Sequence, residues 1–320
     1  MLVFMNFEEV RGPHGGANAF LRTLRSGLEA RGTKVTNDPE RQVDVALLNG
    51  LTGGITPQLA RAFAERGVPV VHRLVGYRVS GSHELRARAA NGVVHGDRLQ
   101  LEFSPWVRHT VFQSAYSRDV FVQNGFAGTS TIIHNGVDES VFNQRVGWGL
   151  RRRRRDPWAR GTRLHVLVSA WSTDPNKGWA DYARIDRALA GNRDVQLTIV
   201  GRVPADVAFE NTRVLGPYGP RRLARALKRS HVLLQLARFE TCSNALIEGI
   251  NCGLPAIYLD SGSNAELAAV YGVEYRGDFG AALDAVRRCY DELFERTLAN
   301  PYRSEVVVPR YLEVLERVAR

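Results

Sequence analysis

Two glutamates, Glu240 and Glu248, are separated by seven residues in the C-terminal half of the chain. The apolar run 231–236 predicts a buried strand before them, and the spacing of apolar side chains predicts a helix over 244–251. We therefore expect Glu240 in the turn that joins strand to helix, and Glu248 about one turn into the helix. Carboxylates in these places can accept hydrogen bonds from vicinal hydroxyl groups.

The segment between the two glutamates is suited to an anion. The first backbone N–H groups of a helix have no partner within it, and the helix dipole favours negative charge there. Here they belong to Thr241, Cys242, Ser243 and Asn244. A diphosphate at this point would have a carboxylate on each side, which is the layout of a nucleotide sugar. A nucleophilic role for the Cys242 thiol is an alternative.

A lysine stands after another predicted strand. The apolar run 164–169 leads into the loop 170–178, which ends in Lys177 and Gly178. A helix is predicted from 179 to about 190. The Lys177 ammonium could neutralise negative charge on a leaving nucleoside diphosphate. An ordinary surface lysine is the alternative interpretation.

Taken in chain order, these motifs resemble those of the retaining glycosyltransferases with the GT-B fold, especially family 4. The other segments that carry the resemblance are Gln-Ser-Ala-Tyr-Ser at 113–117, Asn-Gly-Val-Asp at 135–138, the stretch 212–223, Gly-Leu-Pro at 253–255 and the acidic-ended loop 261–266. The resemblance extends over nearly the whole chain. It implies that Glu240 contacts the transferred sugar, Glu248 the ribose and Lys177 the phosphates.

The resemblance also implies a reaction type. A sugar would move from a UDP-, GDP- or dTDP-linked donor to an acceptor hydroxyl, with retention at the anomeric carbon. Neither a cofactor nor a metal ion is expected, and the donor phosphate would take the acceptor proton. The implied partners are the nucleotide sugar and a hydroxyl-bearing acceptor, in a bacterial cytoplasmic enzyme.

The chain departs from the family pattern at two positions. Many relatives have an arginine about six residues before the lysine, where this chain has Trp171, and Arg202 after the predicted strand 195–200 is a candidate replacement. On the acceptor side, Val75 stands where a polar residue is usual. His72 and Arg73 are the nearby polar candidates, although a packed histidine is the alternative for His72.

The amino-terminal half begins with a strand, a glycine-rich turn and a helix. Gly15 and Gly16 would let the backbone approach a phosphate closely, with His14 beside them as an acceptor-side candidate. A tight structural turn is the alternative interpretation. The turn lacks the G-x-G-x-x-G pattern of dinucleotide-binding dehydrogenases.

Strand and helix patterns alternate through both halves, which predicts two α/β domains with doubly wound parallel sheets, facing each other across a cleft. We expect an acceptor-side domain over 1–146, a basic linker over 147–161 and a donor-binding domain over 162–303. A terminal helix over 304–320 follows. In the family it often crosses back to the first domain, whereas the sequence alone equally allows packing on the second.

Composition sets further bounds. The chain has 320 residues and a formal net charge of +10, which suits a dianionic substrate. The arginine run 151–155 is typical of a solvated linker, and contact with nucleic acid or anionic lipid is the alternative. No base-stacking or recognition-helix motif accompanies it, so nucleic acid is not expected, whereas peripheral membrane contact through the basic surface stays open. Three cysteines without metal-ligand spacing indicate a reduced, cytosolic protein, and no apolar stretch is long enough to span a bilayer.

Two other function classes fit the same motifs. A nucleotide-sugar epimerase of this fold would need an acid or base beside the sugar, and no such pair stands out. A non-catalytic protein that binds nucleotide sugars or anionic polymers would bind donor without turnover.

Overall fold

The computed structural model describes residues 1–7, 16–50, 57–76, 100–145, 157–158 and 163–320, apart from the side chains of residues 16 and 17. His14 and Gly15 lie outside the described residues. So does most of the predicted linker 147–161, including its arginines 151–155.

The first half of the chain forms a parallel sheet flanked by helices. Its elements in chain order are β1 (Leu2–Met5), α1 (Gly16–Glu29), β2 (Lys34–Thr36), β3 (Val45–Asn49), α2 (Pro57–Glu65), β4 (Val70–Arg73), β5 (His109–Phe112), α3 (Ala115–Gln123) and β6 (Ser130–Ile132). Among the described residues the sheet has six strands in the order β2-β1-β3-β4-β5-β6.

Apolar patterning explains why these segments pack in this way. Every residue of β3 and of β4 is buried, as expected for central parallel strands that are covered on both faces. Helix α1 buries one stripe of side chains at helical spacing, formed by Phe20, Leu21, Leu24 and Leu28. Burial of side chains of this size stabilises the fold by about 1.5–3 kcal/mol each.

The second half forms another parallel sheet. Its elements in chain order are β7 (Leu164–Ala170), α4 (Trp179–Ala188), β8 (Val195–Gly201), β9 (Arg213–Leu215), α5 (Pro220–Lys228), β10 (Val232–Gln235), α6 (Asn244–Asn251), β11 (Ala256–Tyr258), α7 (Asn264–Ala268), β12 (Gly272–Glu274), α8 (Phe279–Arg288) and α9 (Tyr290–Leu298). The strand order is β12-β11-β10-β7-β8-β9. The prediction of two doubly wound parallel sheets is confirmed.

The strand order brings three distant loops to one edge of the second sheet. Strand β7 pairs with β10 on one side and with β8 on the other, all three parallel. Their carboxyl ends therefore adjoin, and the segments that follow them begin side by side.

The chain divides into two compact units. The first contains Ser304–Arg320 and the described residues of Met1–Val10 and Asn18–Gly136, and the second contains the described residues of Arg11–Ala17 and Val137–Arg303. Residues 137–145 thus group with the second unit, whereas the expected boundary at 146 leaves them in the first. They join it through the backbone, since Val137 N donates to Tyr302 O over 3.0 Å.

The last helix, α10 (Ser304–Ala319), belongs to the first unit although it is last in sequence. Its buried side chains pack in the same core as α1 and β3, among them Val307, Val308 and Tyr311. The Tyr311 hydroxyl accepts a hydrogen bond of 3.1 Å from Arg73 Nε at the end of β4. Both the apolar face of the helix and this polar contact therefore fix its position.

Within the part of the chain that the structure describes, no helix combines the length and the apolar character needed to cross a lipid bilayer.

Candidate active site

Lys177 and Glu240 form an ion pair at the carboxyl edge of the second sheet, between Lys177 Nζ and Glu240 Oε1. Lys177 ends a short 3-10 turn, Pro175–Lys177, in the loop after β7. Glu240 lies in the segment that follows β10. Both side chains are partly buried, so the pair is partly shielded from water.

The lysine loop is held against the end of β10 by backbone contacts. Gly178 has a φ of 87°, and a Cβ at this position would lie 2.6 Å from the carbonyl oxygen of Leu236. The backbone N–H of Arg238 donates to the carbonyl of Asn176 over 2.7 Å. Glycine is therefore needed next to Lys177, since any side chain would push the loop away from β10.

The turn that contains Phe239 and Glu240 is strained, and the loop after β11 holds it in place. Phe239 is the only described non-glycine residue with a positive φ, 57°, which costs about 1–3 kcal/mol. Its backbone N–H donates to Ser261 Oγ over 3.0 Å, and the N–H of Ser263 donates to the Glu240 carbonyl over 2.8 Å. A Cβ on Gly262 would lie 2.5 Å from that same carbonyl oxygen. The loop after β11 thus determines where Glu240 points.

Helix α6 begins shortly after the turn that contains Glu240. Ser243 is its N-cap, and the Ser243 hydroxyl accepts hydrogen bonds from Leu246 N at 3.4 Å and from Gln235 Nε2 at 2.5 Å. Cys242 is buried in the core of the second unit, whereas Thr241 and Asn244 are partly exposed. The buried Ser243 and Cys242 side chains build the helix start, so their expected donor contacts would come from the backbone.

Glu248 lies one turn into α6 and is half-buried. This burial raises the pKa of its carboxyl group to about 8. Among the described residues, none donates a hydrogen bond to its carboxylate or forms an ion pair with it. A desolvated carboxyl group without partners is costly to ionise, and hydroxyl groups of a ligand would satisfy it.

Trp171 and Arg202 meet at the same sheet edge. They follow β7 and β8, whose last residues pair in register as Ala170 and Gly201. The Arg202 guanidinium carbon lies 4.9 Å from the centre of the Trp171 ring. The structure thus places the candidate replacement arginine beside Trp171, and its contact with a phosphate stays a prediction.

Two of the acceptor-side candidates, His72 and Arg73, lie in the interior of the first unit. His72 is buried and stacks on Phe103 with 4.6 Å between ring centres, and burial lowers its pKa to about 4 against a hydrogen bond to the Gly50 backbone. Arg73 is equally buried, and its two terminal nitrogens donate to the side-chain oxygens of Asn49 and Asn135, both at 2.5 Å. Both side chains contribute to packing, and a contact with an acceptor stays a prediction.

Gly16 is the first residue of α1, so the helix predicted after the glycines is present. In the described parts of the chain, no group of three or more His, Cys, Asp or Glu side chains could hold a metal ion.

Sequence reasoning missed the residues that support the site. Asp181 on α4 pairs with Arg238 over 2.7 Å, which ties the residue two positions before Glu240 to the helix after Lys177. Ser261 and Gly262 clamp the Phe239 turn. The small-residue string at 261–263 is the only signal that could have indicated such a close approach.

Comparisons with protein-family models and with curated protein sequences give no match. Solved structures do match over nearly the whole chain. Sucrose-phosphate synthase from Thermosynechococcus elongatus has a TM-score of 0.70 at 14% identity and covers 99% of this chain and 98% of its own. HepE from Anabaena, solved with UDP and glucose, has a TM-score of 0.68 at 15% identity and covers 98% and 99%.

A third structure is WaaG, a glycosyltransferase involved in lipopolysaccharide biosynthesis. Its TM-score is 0.67 at 12% identity, and the match covers 98% of this chain and 99% of that one. Identities this low establish architecture rather than activity. The resemblance found in the motifs thus agrees with the three-dimensional likeness, and the chain has the GT-B fold of these glycosyltransferases.

Proposed function

We propose that this chain is a retaining glycosyltransferase that moves a sugar from a nucleoside-diphosphate donor to an acceptor hydroxyl. The observation that carries the proposal is the Lys177–Glu240 ion pair at the carboxyl edge of the second sheet, next to the start of α6. Ligands of doubly wound sheets bind beyond the carboxyl ends of the strands. HepE, which has the same fold, was solved with UDP and glucose, and this supports a nucleotide sugar as the ligand class.

In the proposed complex the diphosphate lies at the start of α6. Backbone N–H groups and the helix dipole favour the anion there. An ammonium group has three N–H donors, so Lys177 can keep its bond to Glu240 and still donate to phosphate oxygens. Lys177 would thereby stabilise the charge that grows on the leaving group.

The two glutamates would hold the two sugars. Glu240 would accept hydrogen bonds from hydroxyls of the transferred sugar and fix the orientation of its anomeric carbon. Glu248 would bind the ribose hydroxyls, which would supply the hydrogen-bond partners that its partly buried carboxyl group lacks among the described residues. Both roles follow the resemblance, and the arrangement at the sheet edge is compatible with them.

The proposed reaction is a front-face displacement. The bond between the anomeric carbon and the diphosphate oxygen breaks, and the acceptor oxygen bonds to the same face of that carbon. The acceptor proton passes to an oxygen of the leaving diphosphate, so no Asp or Glu base is required. The products are the glycosylated acceptor and a protonated nucleoside diphosphate.

A thermal-shift screen with UDP, GDP, dTDP and their sugars tests the donor class. We expect one nucleotide to raise the melting temperature specifically, because a ligand that binds only the folded state stabilises it. Nucleoside diphosphate release with the matching donor then tests turnover, and NMR of the product tests retention. Absence of binding by every nucleotide would refute the proposal, and tight binding without hydrolysis or transfer would favour the non-catalytic alternative.

A further inference from the structure

Arg202 is held at the donor edge by backbone contacts. Its N–H donates to the carbonyl of Ala170 over 3.0 Å, and a Cβ on Gly201 would lie 1.7 Å from that same oxygen. Only glycine permits this approach, so the segment after β8 is pressed onto the end of β7. As a result, Arg202 stands directly beside Trp171.

The side chain of Arg202 is exposed and lacks an acidic partner. Its guanidinium lies over the Trp171 ring at 4.9 Å, and among the described residues no carboxylate pairs with it. A cation over an indole face is attracted by the ring quadrupole. The indole thus limits the rotamers of an otherwise free guanidinium and leaves its N–H groups available to a ligand.

The charge balance of the site calls for such a group. The charge of Lys177 is already opposed by Glu240. A diphosphate carries about two negative charges, and the helix terminus supplies only about half an elementary charge. A further cation is needed at this edge, and a guanidinium matches phosphate geometry with two parallel donors.

We propose that Arg202 is a phosphate ligand of the donor site and that Trp171 is the positioning residue that holds its guanidinium flat. This inference rests on the proposed function. It assigns the indole a definite role, in which the tryptophan supports an arginine supplied by the neighbouring strand.

The test is a calorimetric titration of wild type and variants. The probes are whichever of UDP, GDP or dTDP stabilises the wild type most, its monophosphate and its nucleoside. Arg202→Gln should weaken diphosphate binding about tenfold, leave nucleoside binding unchanged, and affect the monophosphate less. Arg202→Lys should recover part of the loss. The matched control is Arg193→Gln, an exposed arginine just before the amino end of β8, which should bind like the wild type.

Trp171 is tested by a double-mutant cycle. Trp171→Leu should weaken diphosphate binding about two- to fivefold in the wild type, and should have no further effect in Arg202→Gln, because the indole acts through the arginine. Loss of nucleoside affinity in Trp171→Leu would overturn the assignment, since the ring would then stack on the base. Equal diphosphate affinities of Arg202→Gln and Arg193→Gln would overturn the inference alone. If no diphosphate binds the wild type, the proposed function falls with it.

Discussion

Lys177 and Glu240 pair at the second sheet edge although 63 positions separate them in sequence. The contact exists because β10 lies next to β7 in the sheet. Close backbone contacts fix both segments, at Gly178 for the loop of Lys177 and at Gly262 for the turn of Glu240. The pair is therefore a fixed feature of the fold, ready before any ligand arrives.

Removal of the ammonium should reduce turnover far more than stability. We expect Lys177→Ala to lower the rate of sugar transfer by about 100-fold or more, since a fixed charge opposite the leaving group contributes several kcal/mol to the transition state. Lys34→Ala is the matched control, because Lys34 is an exposed lysine on β2. Steady-state kinetics and melting temperatures of both variants check this. Equal activities would remove Lys177 from the mechanism.

Glu248 should make the ligand-free protein less stable as the pH rises. Its pKa is raised to about 8 from an ordinary 4.5, so the folded state holds a proton that the unfolded state has released. The stabilisation from this group is fully present below about pH 4.5 and declines as the pH rises to about 8. We expect Glu248→Gln to gain on the order of 1–2 kcal/mol over wild type between pH 5 and pH 8, a value reduced for partial exposure.

Denaturant unfolding at several pH values measures this gain. Glu313→Gln, on the exposed face of α10, serves as the control and should follow the wild type at each pH. A constant difference between Glu248→Gln and wild type across this range would contradict the raised pKa.

Comparison of Gly178→Ala with Gly191→Ala should separate the energetic cost of the left-handed backbone from the cost of the steric clash. Gly191 has a similar φ, 74° against 87°, but a Cβ there meets nothing within 4 Å. Gly191→Ala should therefore cost about 1 kcal/mol, which is the left-handed backbone penalty alone. Gly178→Ala should cost clearly more and also slow transfer, because the clash with Leu236 moves Lys177. Unfolding free energies and turnover of both variants give the comparison, and equal losses would show that the close approach is unimportant.

The contact between Arg73 and Tyr311 should anchor the last helix. Tyr311→Phe leaves the Arg73 Nε–H without its acceptor in a buried site, which should cost about 1.5–3 kcal/mol. Tyr218→Phe is a control at a partly buried tyrosine hydroxyl that makes no hydrogen bond with the described residues. Thermal unfolding of the two variants measures their difference in stability. A Tyr311→Phe protein as stable as the control would show that apolar packing alone holds α10.

The sequence allowed the fold to be predicted where strands are long and apolar. β7 and β8 each span seven buried or half-buried residues, and the helix expected at 244–251 is observed over Asn244–Asn251. The three-residue strands β2, β9, β11 and β12 were not predicted as strands, because segments this short show little periodicity.

The site was predicted as a set of residues but not as a set of contacts. The glutamates and the lysine could be recognised from motifs, whereas their pairing depends on strand order, which local patterns do not encode. The left-handed conformation of Phe239 has no sequence signal, since a positive φ is usually marked by Gly, Asn or Asp rather than by Phe. His72 and Arg73 were named as acceptor-side candidates, with a packed histidine as the alternative for His72. The structure packs His72 against Phe103 and bonds Arg73 to Asn49, which strand patterns alone do not indicate.

Because α10 packs in the core of the first unit, that unit is built from two segments that lie far apart in sequence, and the order of translation differs from the order in which the two units can be completed. The described residues of the second unit are all translated before Ser304, whereas the first unit lacks part of its core until α10 has been translated. Domains usually fold as they emerge, amino-terminal first. Here a nascent chain stalled before Ser304 would carry all described residues of the second unit, whereas the first unit would still expose the apolar side chains that pack against α10.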